Sequence, residues 1–548
     1  MKTYKVHQDY FAKENSIIDV LHLSDFTDPV KYRIDNACIN IGGWQSWSPC
    51  TEVMPGNTQP SLTCHLVKQW NSYLVFPQSK YKSSKKIVLG QFVSYLRWDN
   101  SYLVFASVGN IDAALPPVQF IFNRSENTVS IEICDKGNIW KEGDITARIE
   151  IFQAHSFFEC KEKLKAAFGT SHFDSIKWLG EKPAGWESWY NHYADINENL
   201  IIEDLHKLSE TDNIITKGNY TSKIFQIDDG WEKALGDWDV NTERFPNGFI
   251  QITKEIEDKG FIPGLWLAPF IIDSRSRTAV EHPEWLLRDE DGNLVPAGFN
   301  PLWGKDGTFY VLDLSRDEVI AHLLSVMDTV INKWGFRYIK LDFLYAGMLW
   351  GNYTQKTASY KIFTRALKTI TSNKSTKDGK PLAYLGCGCP FELSFKELPL
   401  SRIGCDTYEH WFNKKLRLIN WNGRNEACLN IKDTLGHALW NKTIFLNDPD
   451  VIFIREENCS LTKNQKLLIS SVNEIFGSQF MYSDDPGKAK ENEAALTEEI
   501  LALSEKYKNE EFEVIQKTED IYELTSKSGK YKGIINTGKR GGISIENL

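Results

Sequence analysis

Apolar residues recur along this chain in two different patterns. From residue 1 to about 175, short runs alternate apolar and polar positions and are separated by Asn, Asp, Gly and Ser, as in residues 86–92, 101–108 and 129–133. Alternation with a period of two places the apolar side chains on one face of a strand. The pattern therefore predicts an antiparallel β-sandwich over residues 1–175.

After Pro183 the pattern changes to continuous apolar runs that alternate with amphipathic helical stretches. The candidate strands are 183–189, 223–229, 261–267, 337–343, 382–388, 400–406, 443–446 and 478–483. The candidate helices, with apolar residues three and four apart, include 199–208, 250–259, 318–333, 357–371 and 463–475. Eight strands with intervening helices predict an α/β class (β/α)8 barrel over residues 176–509.

Alternating runs return at 511–516, 521–525 and 530–535. They predict a small C-terminal β-domain over residues 510–548.

Composition and charge narrow the class of protein. The 548 residues are 42% hydrophobic and 25% charged, which is typical of a globular chain, and the net charge is −10. An acidic protein without a localised basic patch is a poor partner for nucleic acid or an anionic membrane. The first residues lack the apolar core of a signal peptide and no apolar run is long enough to span a bilayer, so we predict a soluble, cytoplasmic protein. The oligomeric state is left open.

The ten Cys include no CxxC pair, and no Cys or His cluster has metal-ligand spacing, so the sequence predicts no metal site. The 18 Trp suit a carbohydrate-binding protein because aromatic faces pack against sugar C–H groups, although large cores also use Trp.

Polar residues end several candidate barrel strands, where the residues of a barrel active site lie. Lys340 and Asp342 are two apart on the fourth strand, and Arg402 and Asp406 are four apart on the sixth. Each pair puts a carboxylate beside a cation on one face, although a buried ion pair would look the same. Two such carboxylates in one pocket are what cleavage of a glycosidic bond requires, so the chain is predicted to be a glycoside hydrolase.

Other strand ends supply candidate sugar contacts. Asp228 and Asp229 can accept hydrogen bonds from hydroxyls, although Asp-Gly is also a common turn pair. Trp266 can wall a pocket or fill the core, and the glycines around Cys387 and Cys389 permit close approach of a ligand, although both thiols can equally be structural.

Seven motifs together resemble glycoside hydrolase family 36 α-galactosidases of clan D, especially the shorter bacterial members. They are Gly-Trp-Gln-Ser-Trp-Ser-Pro-Cys at 43–50, Gly-Trp-Glu-Ser-Trp-Tyr at 185–190, Gln-Ile-Asp-Asp at 226–229, Gly-Leu-Trp-Leu-Ala-Pro-Phe at 264–270, Lys-Leu-Asp-Phe at 340–343, Gly-Cys-Gly at 386–388 and Arg-Ile-Gly-Cys-Asp at 402–406. The resemblance implies that Asp342 is the nucleophile and Asp406 the acid/base of a retaining double displacement.

The resemblance also implies the residues that bind galactose. Asp228 and Asp229 would hold the 4- and 6-hydroxyls, with Lys340 and Arg402 as further hydroxyl contacts. The remaining implied contacts are Cys387 with Gly388 at the 2-hydroxyl, Trp189 and Trp266 as walls, and Trp47 reaching in from the N-terminal domain. Glu187 departs from the pattern, because relatives often carry Cys there, and it adds a third carboxylate near the first strand.

The predicted activity is hydrolysis of terminal, non-reducing α-galactosides of the melibiose and raffinose type. The alternatives are an α-N-acetylgalactosaminidase, a raffinose-synthase-like transglycosylase, and a catalytically silent relative that binds carbohydrate. Cys387 favours an unsubstituted 2-hydroxyl, since an acetamido group needs more room. No cofactor is implied, because two Asp side chains suffice for this chemistry.

Overall fold

In the middle of the chain, eight parallel strands, the seventh in two segments, close into a barrel. Antiparallel sheets lie before and after it in the sequence. The computed structural model describes residues 5–11, 17–28, 31–60, 81–109, 115–134, 144–300, 303, 307–413, 424, 426–487 and 490–547. The predicted fold class, a (β/α)8 barrel with β-sheet regions before and after it, is confirmed. The boundaries after residues 175 and 509 stay predictions.

The N-terminal region consists of two antiparallel sheets. In spatial order, one has six strands, Lys5–Phe11, Ile145–Ala154, Ser101–Ser107, Val93–Trp98, Cys38–Asn40 and Glu52–Val53. The other has four strands, Ile17–His22, Thr128–Ile133, Val118–Asn123 and Ile87–Gln91. Alternate residues such as Leu103, Phe105 and Phe120 are fully buried between the sheets, as the period-two pattern predicted.

The barrel strands occupy the predicted positions, with one shift. They are Pro183–Glu187, Ser222–Ile227, Ile262–Leu267, Tyr338–Leu341, Ala383–Gly386, Leu400–Arg402, Leu446–Asp448 with Val451–Ile452, and Phe480–Tyr482. These are called barrel strands one to eight below. Strand eight pairs with strand one and closes the barrel. Strand seven was predicted at 443–446, but it begins at Leu446 and is broken at Pro449 and Asp450.

Helices cover the barrel. The α-helices are Phe157–Phe168, Trp189–His192, Glu198–Glu210, Ile214–Lys217, Ile250–Asp258, Arg277–Glu281, Asp317–Asp328, Ser359–Ile370, Phe391–Ser394, Ala427–Gly436, Lys463–Phe476 and Glu491–Tyr507. The 3₁₀-helices are Leu23–Asp25, Ile34–Asn36, Ser171–Leu179, Pro283–Trp285 and Leu344–Met348. The predicted helix 318–333 is α-helical to Asp328 and continues as a π-helix over Thr329–Lys333.

Two further sheets complete the fold. A three-stranded sheet formed by Ile271–Ile272, Thr308–Val311 and Pro296–Phe299 follows barrel strand three. The C-terminal sheet contains Phe512–Gln516, Ile521–Ser526, Tyr531–Asn536 and Gly542–Asn547, of which the last was not predicted. Within the described residues, no helix combines the length and the apolar character needed to cross a membrane.

The segment 44–50 of the N-terminal region is bonded to the barrel. The amide of Cys389 donates to Ser46 Oγ at 2.9 Å, and the amide of Cys50 donates to Asp433 Oδ1 at 3.2 Å. Gly436 ends its helix against the Cys50 carbonyl, where any side chain would overlap that oxygen. These contacts fix the segment that carries Trp47 over the barrel mouth.

Candidate active site

A cavity of about 470 Å³ lies at the carboxyl ends of the barrel strands. Nine of the eleven candidate residues line it: Trp47, Trp189, Asp228, Asp229, Trp266, Lys340, Asp342, Arg402 and Asp406. These side chains come from strands one to four and six of the barrel and from the N-terminal region. The structure therefore brings together residues that are up to about 360 positions apart in the sequence.

Asp342 lies directly after barrel strand four and is held from two sides. Its Oδ2 accepts a hydrogen bond from Trp266 Nε1 at 3.0 Å, and its Oδ1 accepts one from the Phe343 amide at 2.7 Å. Phe343 has φ +53°, a left-handed conformation that is costly for a bulky residue and is found mainly where function constrains the backbone. The carboxylate is thus fixed in orientation and only 7% exposed.

Asp406 follows barrel strand six and is the more open of the two carboxyls, with its side chain 38% exposed. Its withdrawal from bulk water in the cavity, and then the negative charge of Asp450, raise its pKa to about 7. Asp342 adds to the increase, while Arg402 and Lys340 oppose it. A carboxyl with such a pKa can hold a proton near neutral pH and release it later.

Arg402 is held by the broken strand seven. Its Nε donates to Asp448 Oδ2 at 2.8 Å, and its Nη2 lies 2.8 Å from Asp450 Oδ1. The remaining Nη1 faces Asp406 Oδ1 at 3.5 Å. Asp450 has φ +77° and also accepts from the Tyr190 hydroxyl at 3.0 Å. Because the strand is broken here, Asp448 and Asp450 both contact the guanidinium of Arg402. These contacts hold the guanidinium beside Asp406.

A second ion-pair network connects strands one, two and four. Lys340 Nζ donates to Asp228 Oδ2 at 2.9 Å, and the same oxygen accepts from Gln226 Nε2 at 2.8 Å. Gln226 Nε2 also donates to Glu187 Oε2 at 3.0 Å, and Lys340 Nζ lies 3.7 Å from that oxygen. Lys340 is therefore shared by two buried carboxyls and does not pair with Asp342, its neighbour on the strand.

Glu187 is the carboxyl of this network with unused bonding capacity. It is 2% exposed, it lines the cavity, and its Oε1 has no hydrogen-bond partner among the described residues. Burial, together with the charges of Asp228 and Asp450, raises its pKa to about 8, although Lys340 opposes this. With this pKa Glu187 holds a proton near neutral pH. Asp228 is then the carboxyl of the network that carries the negative charge opposite Lys340.

The raised pKa of Glu187 predicts how stability depends on pH. In the unfolded chain this carboxyl ionises above about pH 4.5, whereas in the folded protein it keeps its proton up to about pH 8. Its effect on the free energy of unfolding is therefore lost progressively as the pH rises between these values. Between these pH values the free energy of unfolding of the parent should therefore fall by on the order of a few kcal/mol more than that of Glu187→Gln, which has no carboxyl to titrate at this position.

Thermal midpoints of both proteins between pH 5 and 8 test this prediction. Glu290→Gln, a matched change at an exposed turn, is the control and should follow the parent. Parallel curves for Glu187→Gln and the parent would contradict a protonated Glu187.

Asp229 has different partners from its neighbour Asp228. Its Oδ2 accepts from Trp303 Nε1 at 2.8 Å, and it lies against the carboxyl of Glu232. Burial and the adjacent Glu232 raise its pKa well above the usual value, and the pKa of Glu232 is raised as well. A proton shared by the two carboxyls lies in the hydrogen bond between them.

Aromatic side chains enclose the cavity. Trp47 packs edge-on against Phe343, with ring centroids 5.0 Å apart, and against Tyr345 at 5.7 Å. Trp266 is 2% exposed, whereas Trp189 is half-buried and packs edge-on against Tyr193. Such walls leave flat apolar faces for the C–H side of a pyranose ring.

Cys387 and Gly388 are not among the residues that line the cavity. Burial raises the pKa of the Cys387 thiol well above its usual value. A Cβ on Gly388 would come within 3.1 Å of Phe343 Cα and 3.2 Å of Trp47 Cη2, so the missing side chain leaves room for Trp47. A contact of either residue with a substrate stays a prediction.

Several cavity residues were missed by sequence reasoning. They are Tyr190, Tyr193, Phe299, Asn300, Trp303, Phe343, Cys405, Tyr408, Arg424 and Asp450. Trp303 and Asn300 come from the segment between barrel strands three and four, where the sequence shows no strand-end pattern. The pair Asp448 and Asp450, with Pro449 between them, was the one local signal of a missed residue. Buried acids inside a strand need a cation, and Arg402 is that cation.

Among the described residues, no group of three or more His, Cys, Asp and Glu side chains is arranged to hold a metal ion.

Comparison with known sequences finds a family match in the middle of the chain. Residues 175–362 match the family model described as Melibiase. The chain is 27% identical over 169 residues to "Alpha-galactosidase AgaA" of Geobacillus stearothermophilus, which covers 30% of this chain and 21% of that protein. It is 32% identical over 172 residues to "A type blood alpha-D-galactosamine galactosaminidase" of Flavonifractor plautii, covering 29% of this chain and 14% of the other. The matched segment thus spans only 21% and 14% of the length of these two curated relatives.

Comparison with solved structures extends the likeness to the whole fold. TtGalA, the α-galactosidase of Thermus thermophilus solved with p-nitrophenyl α-D-galactopyranoside, superposes with a TM-score of 0.67 at 21% identity. The match covers 95% of this chain and 92% of that one, so the N-terminal region, barrel and C-terminal sheet all have counterparts. The resemblance found in the sequence motifs is confirmed: residues 175–362 match the melibiase family model, and the chain has the fold of solved α-galactosidases, including the family 36 enzyme AgaA of Geobacillus stearothermophilus.

Proposed function

We propose that this protein is a retaining α-galactosidase that removes terminal, non-reducing α-D-galactosyl residues from oligosaccharides of the melibiose and raffinose type. One observation carries the proposal. A fixed carboxylate, Asp342, and a more open carboxyl with a pKa raised to about 7, Asp406, line the same cavity. That is the pair of roles that a double displacement needs. A cytoplasmic location stays a prediction from the sequence.

In the first step Asp406 donates its proton to the glycosidic oxygen while Asp342 attacks the anomeric carbon. The bond from that carbon to the leaving group breaks, and a bond to the Asp342 oxygen forms. Esterification removes the negative charge of Asp342, which is one of the charges that raise the pKa of Asp406. Asp406 is then a stronger acid than it was before the first step, so it stays ionised and can accept a proton from water.

In the second step that water attacks the anomeric carbon and releases Asp342. Two inversions give net retention, so galactose leaves as the α-anomer. We assign Asp228, with Lys340 beside it, and Asp229, with Trp303, to the sugar hydroxyls. Their placement supports this, because both side chains line the cavity and their carboxyl oxygens can accept hydrogen bonds from hydroxyls.

Activity on an α-linked amino sugar, such as that of an α-N-acetylgalactosaminidase, is the second candidate, because the Flavonifractor plautii relative at 32% identity is named for α-D-galactosamine. Cys387 does not line the cavity, so its side chain does not by itself exclude an acetamido group from it.

The proposal is tested by the release of p-nitrophenol from the aryl α-galactoside and the aryl α-N-acetylgalactosaminide, with the anomer of the released sugar followed by NMR. We expect α-galactose as the first product and little activity on the second substrate. Release of the β-anomer would exclude double displacement. A preference for the α-N-acetylgalactosaminide would make α-N-acetylgalactosaminidase the favoured function. Asp342→Ala is the control for a contaminating enzyme.

A further inference from the structure

Asp450 is a buried carboxyl of the catalytic cavity to which the steps proposed above give no role of its own. It lines the cavity together with Asp342 and Asp406. It lies in the break between the two segments of barrel strand seven and has φ +77°. A left-handed backbone is less favourable for Asp than for Gly, and such a conformation persists only where the surroundings hold it. A strained, buried acid at this place points to a role in the site.

Three donors hold the carboxyl group of Asp450. Its Oδ1 lies 2.8 Å from Arg402 Nη2, and its Oδ2 accepts from the Tyr190 hydroxyl at 3.0 Å and from the Thr407 amide at 2.8 Å. A carboxyl that only accepts hydrogen bonds, one of them from a cation, is in the environment that suits its ionised form. Since Thr407 directly follows Asp406, the same carboxylate also fixes the backbone that carries Asp406.

Arg402 is a single cation that faces three carboxyls. Asp448 and Asp450 each lie 2.8 Å from one of its nitrogens, whereas Asp406 has the longest of the three contacts, at 3.5 Å. One positive charge cannot offset three negative charges, so the cluster favours a proton on one carboxyl. Asp406 is the carboxyl that the cation binds least closely and that is the most exposed of the three, so it is the one that takes the proton.

We propose that Asp450 is a positioning residue for the general acid: it occupies Arg402 and places a fixed negative charge beside Asp406, so that Asp406 enters the reaction with its proton. That proton passes to the glycosidic oxygen as the bond to the leaving group breaks, while Asp450 neither gains nor loses one. This inference rests on the proposed function and concerns only how the acid is kept protonated.

Other charged and titratable groups also face Asp406. Lys340 favours its ionised form, and Asp342 opposes it. Four further groups have pKa values raised by burial and stay neutral between pH 5 and 8: Tyr190, Tyr193, Cys387 and Cys405. Glu187, whose pKa Asp450 helps to raise, titrates near pH 8. Because Glu187 does not act on the leaving group, its titration would change the turnover of all substrates alike.

The test is the pH profile of kcat/KM from pH 5 to 9 on raffinose and on p-nitrophenyl α-galactoside. Asp450→Asn removes the charge at constant size, and Asp450→Ser removes it while leaving room for water beside the three donors. Asp450→Glu keeps the charge. Asp448→Asn is the matched control, because it takes a buried carboxylate from the same guanidinium but lies outside the residues that line the cavity. Thermal midpoints identify the variants that fold.

We expect the neutral variants to lower, by at least about one unit, the pH above which kcat/KM for raffinose falls. Such a shift lowers kcat/KM roughly tenfold against the parent at pH 8 and leaves little difference at pH 5. The aryl substrate should keep the parent's pH dependence, because nitrophenolate leaves without a proton. Asp450→Glu should keep the parent's profile on raffinose, and Asp448→Asn should shift it less than half as far as Asp450→Asn.

An unchanged raffinose profile in a folded Asp450→Asn or Asp450→Ser would overturn the role of Asp450 and leave the proposed function standing. Equal shifts in Asp448→Asn and Asp450→Asn would also overturn it, because the effect would then follow from the loss of any partner of Arg402. A parent inactive on both substrates would overturn the proposed function and this inference with it.

Discussion

Asp342→Asn is expected to lower turnover of p-nitrophenyl α-D-galactopyranoside by at least roughly 10⁴-fold, because no covalent intermediate can form without the attacking oxygen. The amide keeps the size of the side chain and can still accept one of the two hydrogen bonds that Trp266 and Phe343 donate. The fold should therefore persist, and an unchanged thermal midpoint measured beside the activity would show that the loss is chemical.

Azide distinguishes the nucleophile from other essential residues. In Asp342→Ala the space left by the carboxylate admits azide, which displaces the nitrophenolate in one inversion and gives the β-galactosyl azide. Mass spectrometry of the quenched parent enzyme should also locate the galactosyl group on the peptide that contains Asp342. Full activity of Asp342→Asn, or a galactosyl group on another peptide, would remove the nucleophile assignment.

Asp406→Ala is expected to be the second most damaging change, and its effect should depend on the leaving group. Loss of a general acid costs about 10²–10⁴-fold when the leaving group needs a proton, as the sugar of raffinose does. Nitrophenolate leaves without one, so its release in the first step should be much less affected. Azide should then attack the stable glycosyl-enzyme and give the α-galactosyl azide, the opposite anomer to that from Asp342→Ala.

The pH profile of the parent enzyme gives an independent test of Asp406. The acid must be protonated in the free enzyme, and its pKa is raised to about 7, so kcat/KM for raffinose should fall as the pH rises above about 7. The fall should be absent in Asp406→Ala, whose remaining activity does not depend on this proton. A parent profile that stays flat from pH 6 to 9 would count against Asp406 as the acid.

The sequence predicted the barrel well because its strands are buried on both faces and stand out as continuous apolar runs. It misplaced strand seven for a physical reason. Asp448 and Asp450 interrupt the apolar pattern there, and their presence is explained only by Arg402, which lies on another strand. Local pattern contains no information about such a partner.

The residues of the candidate site also fall into a group that the sequence could predict and a group that it could not. Residues at strand ends, such as Asp228 and Asp342, could be predicted because topology alone brings those ends together. Trp303 and Tyr193 could not, because they lie outside the barrel strands and meet the cavity only through tertiary contacts with Asp229 and Glu409. The sequence also placed Lys340 beside Asp342, whereas in the structure it pairs with Asp228 and Glu187.

The attachment of the segment 44–50 has a consequence for protein engineering. A chimera that joins this barrel to the N-terminal region of a distant relative would replace Trp47 and the residues that seat it. The Gly388 gap, the Ser46 hydroxyl bonded to Cys389 and the close contact between Gly436 and Cys50 form one matched set across that junction. Recombination libraries should therefore inherit residues 44–50 together with the loop after strand five and the helix Ala427–Gly436 as a single block.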